Sequence, residues 1–197
     1  SSESFNDAFL YAKSNTVNGM VLVEEYLPGP DISYVGFVES GNLLPIIVLD
    51  EINKELKNGV VTSHGYKVHD HYSKNSYVNE SEIISKKLVD IFNIQRSPFM
   101  SCFRANKEGF LKLIEIHLDL GGDLLMEELF PRSLSFDYQE LAIKMSAGTA
   151  NFIKEDNPKP VAIFYNRGSE LLNKRGFKII EANSHEDLNK KIRKAGL

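Results

Sequence analysis

Residues 101–123 read SCFRANKEGFLKLIEIHLDLGGD, two largely apolar runs joined by Lys107-Glu108-Gly109 and followed by a glycine pair. Because glycine accepts the positive φ of a tight hairpin, this pattern predicts two short strands joined by a turn. Side chains alternate between the faces of a strand, which predicts a shared face for five residues of the second run: Leu111, Leu113, Glu115, His117 and Asp119. A buried carboxylate needs a partner, so Glu115 would have to be neutralised, paired or bound to a cation.

The same alternation is also typical of an antiparallel strand with one solvated face. The pair Gly121-Gly122 favours a ligand site instead, because backbone without side chains lets a ligand approach closely.

The sequence of this predicted hairpin resembles that of the metal-binding hairpin of the ATP-grasp superfamily. The matching segments are Phe103-Arg104, Glu108-Gly109, Leu113-Ile114-Glu115-Ile116-His117 and Gly121-Gly122-Asp123. The resemblance implies a magnesium site in which Glu115 is the bridging carboxylate. We therefore expect Glu115 and His117 to be metal ligands, and Glu115 and Asp119 to be catalytic.

Three residues depart from the family pattern. Cys102 stands where the first metal carboxylate is expected, His117 where an asparagine is usual, and Asp119 where an arginine usually meets an anion. Magnesium prefers hard oxygen ligands, and a thiol or imidazole replaces them poorly. Either the site holds Mg2+ through Glu115, Asp119 and nucleotide phosphates, or its catalytic power is reduced. The acid at 119 also suggests a cationic substrate group, such as an amine.

An earlier segment, residues 20–38, predicts two strands that flank the turn Pro28-Gly29-Pro30. It resembles the adenine clasp of the same superfamily. The resemblance implies that Glu24 receives the exocyclic amine of adenine and that the backbone of Glu25, Tyr26 and Leu27 meets the ring. Asp31 would hold the ribose hydroxyls.

The other segments complete an α+β pattern. Helices are predicted at 5–14, at 79–92 with Asn79 as the cap, at 124–130 ended by Pro131, and at 136–148. A strand is predicted at 43–49, followed by a polar region, 50–79, in which Lys67, His69 and His71 are candidate phosphate contacts. Beyond a linker-like stretch we expect strands at 161–165 and 177–180, a helix at 169–174 and a terminal helix capped by Asn183 or Ser184.

The predicted fold is therefore an ATP-grasp-like antiparallel sheet with packed helices and a small C-terminal strand-helix appendage. Residues 1–155 would be the C-terminal part of an ATP-grasp domain, and residues 156–197 a small α/β extension. The family's phosphate-binding lysines lie upstream of the matched segments, so we expect an N-terminal ATP-grasp part in cis or in trans.

Composition and charge limit the classes of partner molecule and the cellular compartment to be expected. The 197 residues carry a net charge of -4 without a basic stripe, which argues against nucleic acid as a partner. A single cysteine excludes an intramolecular disulfide. The sequence also contains no apolar run long enough to suggest a membrane span. We therefore expect a reducing cytoplasm as the compartment.

The sequence favours an ATP-dependent carboxylate-amine ligase that uses ATP and Mg2+ on a small carboxylate and an amine, through an acyl phosphate. A homodimer is compatible with this function. The alternative is a catalytically reduced nucleotide-binding or regulatory module. Both require Glu115 and the acids beside the Pro-Gly-Pro turn to face one cleft sized for a nucleotide.

Overall fold

The computed structural model describes residues 2–55, 61–71, 77–149, 157–165 and 176–196. Within these residues seven strands form one antiparallel sheet in the order β5-β4-β1-β2-β3-β6-β7. The strands are β1 (Asp31–Glu39), β2 (Asn42–Glu55), β3 (Val61–Val68), β4 (Arg96–Ala105), β5 (Leu111–His117), β6 (Val161–Tyr165) and β7 (Phe177–Glu181). The helices are α1 (Ser2–Ser14), α2 (Val78–Ile91), α3 (Phe130–Ser133), α4 (Tyr138–Ser146) and α5 (His185–Lys194). A π-helical turn, Leu125–Leu129, leads into α3. The predicted α+β class is confirmed.

Helices cover the two faces of the sheet unequally. On one face, here called the back face, α2 packs through Leu88 and Val89 on Ile32, Tyr34 and other apolar residues of β1, β2 and β4. Further along the same face α5 packs through Leu188 on Ala162, Phe164 and Ile180.

The opposite face, here called the cleft face, is covered at one end by the π-helical turn and α3. Leu125, Leu129 and Phe130 are buried there against Val35 and Leu49. Nearby, α4 buries Ala142 and Met145 against Phe37. The other end of the cleft face, where β1 begins, lines an open cavity.

A β-bulge near the middle of β5 changes the face that its side chains occupy. In β4, Phe103 pairs with Leu113, and the residue before it, Cys102, pairs with Glu115. Ile114, between Leu113 and Glu115, is therefore an extra residue in β5. An extra residue shifts the two-residue alternation by one step.

The bulge separates residues that simple alternation placed together. Leu111 packs with α2 on the back face, whereas Glu115 and His117 share the cleft face with their cross-strand neighbours Cys102 and Met100. The prediction that Leu111, Leu113, Glu115 and His117 share one face is therefore wrong. The signal was present in the sequence, because the consecutive apolar residues Leu113-Ile114 interrupt the alternation of apolar and polar side chains.

The strand predicted before the Pro-Gly-Pro turn is absent, because residues 20–30 form no strand. Two backbone hydrogen bonds attach this segment to the end of β4: Gly29 N donates to Ala105 O at 2.9 Å, and Ala105 N donates to Pro30 O at 3.0 Å. Pro28 and Pro30 have no N–H group with which to extend this pairing. A Cβ at Gly29 would lie 2.4 Å from Ala105 O, so the close approach requires glycine.

Other element boundaries also differ from the predictions. The strand predicted to end at Leu49 continues to Glu55, and β3 lies within the region predicted to be polar and irregular. Asn79 is not a helix cap, because α2 begins at Val78 without a side-chain cap. Pro131 lies in the first turn of α3, where its missing N–H costs nothing, and so does not end a helix.

The C-terminal predictions are confirmed where the chain is described. Ser184 caps α5 by accepting a hydrogen bond from Asp187 N at 3.1 Å. β6 pairs with β3, so the predicted extension continues the same sheet. The boundary between 155 and 156 stays a prediction, and the helix predicted at 169–174 lies outside the described residues.

Candidate active site

A cavity of about 270 Å³ lies at the open end of the cleft face. Strands β1, β2, β4 and β5 contribute to it, and β3 closes one side. Its lining residues are mostly polar or charged: Asp31, Ile32, Glu51, Asn53, Val61, Ser63, Cys102, Phe103, Arg104, Ile114 and Glu115. Asp31 and Glu115 therefore face one cavity, as predicted for these two acids, whereas Glu24 and Glu25, the other acids beside the Pro-Gly-Pro turn, are not among its lining residues.

An ion pair occupies one half of the cavity. Arg104 binds the Asp31 carboxylate with both arms of its guanidinium group, Nε to Oδ1 at 2.5 Å and Nη2 to Oδ2 at 2.8 Å. Asn53 Nδ2 donates to the same carboxylate. The hydrogen bonds to Asp31 raise the pKa of Arg104 further. Asp31, predicted to hold ribose, is thus oriented by two protein groups before any ligand arrives.

Cys102 and Glu115 line the other half and, with the neighbouring His117, form a donor triad, defined as the Cys102 thiol, the Glu115 carboxylate and the His117 imidazole. One ligand atom from each lies within 4.8 Å of the other two. His117 Nε2 is 3.2 Å from Glu115 Oε1, and Ser33 Oγ is 3.6 Å from Cys102 Sγ. The cross-strand pair Cys102–Glu115 and the bulge before Glu115 bring these donors together.

The surroundings of the Cys102 thiol disfavour its thiolate form. Burial chiefly raises its pKa to about 11, and the carboxylates of Glu115, Glu51 and Asp31 raise it further, although Ser33 acts in the opposite direction. Since the thiolate is the reactive species, the raised pKa argues against Cys102 as a nucleophile when no ligand is bound.

Magnesium fits the donor triad poorly. Mg2+ takes six oxygen ligands in a near-ideal octahedron. Only one of the three converging donors, the Glu115 carboxylate, supplies oxygen, while Cys102 supplies sulfur and His117 nitrogen.

Glu51 is a cavity residue that the sequence analysis missed. It pairs with Asp31 across β1 and β2, and burial raises the pKa of its carboxyl group. The nearby acids Asp31 and Asp123 act in the same direction, opposed by the nearby Ser63 hydroxyl and by the charge of Arg104. Continuing the strand alternation past Leu49 would have placed Glu51 on the cleft face.

Asp119 lies beyond the end of β5 and apart from the donor triad. Its Oδ1 accepts a hydrogen bond from Gly121 N at 2.8 Å, which closes the turn after the strand. Gly121 has a φ of +79°, so the glycine there serves the turn. The catalytic role of Asp119 stays a prediction.

The predicted adenine clasp runs beside the cavity without lining its described part. Glu24, Glu25 and Tyr26 are exposed and Leu27 is half-buried. Tyr26 is close enough to Arg104 to influence its pKa. The nucleotide-binding roles of these four residues stay predictions.

The three candidate phosphate contacts lie elsewhere. Lys67 Nζ is 3.3 Å from Asp50 Oδ2, and His69 Nδ1 is 2.5 Å from Asp50 Oδ1. Asp50 alternates with Glu51 along β2 and therefore points to the back face. Burial alone would raise the pKa of Asp50, but His69 and Lys67 together lower it. Contact between nucleotide phosphate in the cavity and Lys67, His69 or His71 is not supported.

No protein-family model and no curated protein sequence matches this chain. Solved structures do match its fold. An L-amino acid ligase from Bacillus licheniformis matches with a TM-score of 0.68 and 13% identity, covering 87% of this chain and 51% of the ligase. A phosphoribosylglycinamide synthetase from Anaerococcus prevotii matches with a TM-score of 0.68 and 13% identity over 99% of this chain and 58% of that protein.

A third structure, the biotin carboxylase βγ-ATP complex from Campylobacter jejuni, has a TM-score of 0.69 and 13% identity and covers 99% of this chain and 52% of the carboxylase. All three are ATP-grasp enzymes. This chain has the ATP-grasp fold. It spans about half the length of these ATP-grasp structures.

Within the described residues of this chain, no helix combines the length and the apolar character that crossing a membrane requires.

Proposed function

We propose that this chain is the nucleotide-binding portion of an ATP-dependent ligase that joins a carboxylate to an amine through an acyl phosphate. The main support is the charged cavity at the open end of the cleft face, which Asp31 and Glu115 both line. The fold supports the same class, because its structural neighbours include an L-amino acid ligase and a carboxylase solved as a βγ-ATP complex.

In this proposal the Asp31 half of the cavity orients the nucleotide. Arg104 and Asn53 fix the Asp31 carboxylate and occupy three of its roughly four lone-pair sites, so the site that remains accepts from one ribose hydroxyl. Glu24 accepts from the exocyclic amine of adenine, and the backbone of residues 25–27 meets the ring edge. Residues 28–30 connect this clasp to the end of β4 through Gly29.

The first chemical step would transfer a phosphoryl group. An oxygen of the substrate carboxylate attacks the γ-phosphorus of ATP, the bond to the β,γ-bridging oxygen breaks, and ADP leaves. Catalysis of such a step is mainly positioning and charge stabilisation. Among the cavity-lining residues that the structure describes, Arg104 is the one cation and would offset part of the phosphate charge.

The second step would form the C–N bond. The amine attacks the acyl carbon, inorganic phosphate leaves, and the nitrogen loses a proton. Glu51 is suited to accept that proton, because burial raises the pKa of its carboxyl group. Asp119, outside the cavity at the turn after β5, would attract the cationic amine.

Saturation-transfer NMR with ADP tests the nucleotide-binding part of this proposal, because it detects weak complexes. We expect the whole chain to bind ADP weakly and Asp31→Asn to weaken transfer to the ribose protons. The matched control is Asp50→Asn, which alters an aspartate on the back face and should leave transfer unchanged. The proposal fails if ADP shows no transfer, or if the two variants have equal effects.

A second candidate function is a nucleotide-binding module with little or no turnover. The observation in its favour is Cys102, a thiol at the position where the family resemblance implies a metal carboxylate. An ATPase assay of Cys102→Glu distinguishes an active ligase from a nucleotide-binding module with little turnover. A gain of ATP hydrolysis favours a decayed site, whereas a loss of existing activity favours a repurposed one.

A further inference from the structure

We propose that the donor triad binds a transition-metal ion of the zinc class, with the Cys102 sulfur as a ligand. The inference goes beyond the proposed function, because it needs only three side chains of this chain and no nucleotide. It replaces the magnesium ion that the family resemblance implies with a cation that matches the donors present.

The donor types select the metal. Zinc in proteins is bound by cysteine sulfur, histidine nitrogen and carboxylate oxygen, usually in a tetrahedron. Cys102, His117 and Glu115 supply one donor of each kind. Magnesium and calcium prefer oxygen alone, so neither competes well for this set.

The spacing of the donors suits one ion. Zinc–ligand bonds of usual length place tetrahedral donors about 3.4–3.6 Å apart. The three ligand atoms lie within 4.8 Å of one another, and the His117–Glu115 separation is 3.2 Å. His117 is one-third exposed and Glu115 more than half, so small side-chain rotations are free to close the remaining gap.

The backbone holds the donors in this arrangement. Cys102 and Glu115 are direct cross-strand partners, and His117 follows two residues later on the same face. Ser33, the neighbour of Cys102 on β1, places its hydroxyl 3.6 Å from the sulfur. That hydroxyl can donate to a metal-bound thiolate, a contact that orients a ligand from outside the coordination sphere.

Three protein ligands leave a tetrahedral ion with one open position. Cys102 and Glu115 both line the cavity, so the open position faces it. Zinc sites with three protein ligands and one exchangeable position are the catalytic type. A phosphate oxygen, a substrate carboxylate or water is the ligand chemistry that such a position accepts.

Cobalt substitution tests the site without nucleotide. The whole chain is freed of metal with a chelator and titrated with Co2+, then with Zn2+ in competition. We expect one ion per chain, a tetrahedral visible spectrum and a thiolate-to-cobalt charge-transfer band. Cys102→Ser should abolish that band, and His117→Asn should weaken Zn2+ binding by more than the roughly 10- to 100-fold that loss of an outer-shell contact causes.

His185→Asn is the matched control, because it removes a histidine at the start of α5, outside the triad. It should leave affinity and spectrum unchanged, and circular dichroism shows whether each variant is folded. The proposal is wrong if no Zn2+ binds, if the cobalt complex lacks the thiolate band, or if Mg2+ competes equally. It is also wrong if folded Cys102→Ser and His117→Asn retain full affinity. Loss of ADP binding with intact Zn2+ binding would instead reject the proposed function alone.

Discussion

The two halves of the cavity use their charges differently. In one half three hydrogen bonds from Arg104 and Asn53 hold the Asp31 carboxylate, and Arg104 balances its charge. In the other half the one basic group that contacts Glu115, within the described residues, is His117, itself a metal-ligand type. The first half has its charges balanced as folded, whereas the second half has donors that a cation would satisfy. Ligand-dependent behaviour should therefore concentrate in the donor triad.

Deleting Ile116 should have the largest effect on this difference. Glu115 and His117 would then be adjacent in β5 and lie on opposite faces, so only one of them could share the cleft face with Cys102. We expect loss of the tetrahedral cobalt spectrum and a fall of about 3 kcal/mol in unfolding free energy, since the deletion removes a side chain packed with α2 and places a polar one against that apolar surface. Cobalt absorption and urea denaturation measure the two effects.

Deleting Ile114 is the control for this deletion, because it removes the extra residue of the bulge and leaves Glu115 paired with Cys102 and His117 two residues later. It should retain the cobalt spectrum. An Ile116 deletion that binds cobalt as tightly as the parent chain would show that residue count does not determine which donors share the cleft face.

Removing the ion pair of the Asp31 half should have a smaller effect on the unfolding free energy. Arg104→Met leaves the mostly buried Asp31 carboxylate without its cation, and we expect a loss of about 2 kcal/mol in unfolding free energy, moderated by the partial exposure of Arg104. Adding Asp31→Asn should recover part of that loss in a double-mutant cycle. Additive single losses in urea denaturation would contradict the coupling.

Glu51→Gln should have the smallest effect and the opposite sign. Because the pKa of Glu51 is raised in the folded state from its usual value of 4.5, ionisation of this group opposes folding. Its contribution is most favourable at low pH and falls as pH rises through that pKa. The variant should gain stability relative to the parent chain as pH rises from 4.5 towards neutrality. A pH-independent difference in melting temperature would contradict this cause.

The sequence predicted those features that local patterns determine. The hairpin at β4–β5 and the cap at Ser184 follow from turn and cap residues, and the resemblance to the family motifs pointed to Asp31 and Glu115. Glu51 was missed because its strand carries polar residues towards a cavity, so that Asp50 looked like the start of a loop. The bulge at Ile114 was missed because a single extra residue reverses the alternation that the prediction assumed.

The face on which the donor side chains lie is therefore set by the pairing between β4 and β5. The order of residues within one strand does not reveal that pairing. The same argument explains Lys67 and His69, whose residue types suit phosphate but whose strand register points them to the back face with Asp50.

X-ray absorption at the zinc edge of the metal-loaded chain tests the central claim most directly, because it reports the atoms bound to the ion. The account predicts one sulfur at about 2.3 Å and nitrogen or oxygen at about 2.0–2.2 Å, with the sulfur shell absent in Cys102→Ser. A coordination shell of oxygen and nitrogen alone in the parent chain would contradict it.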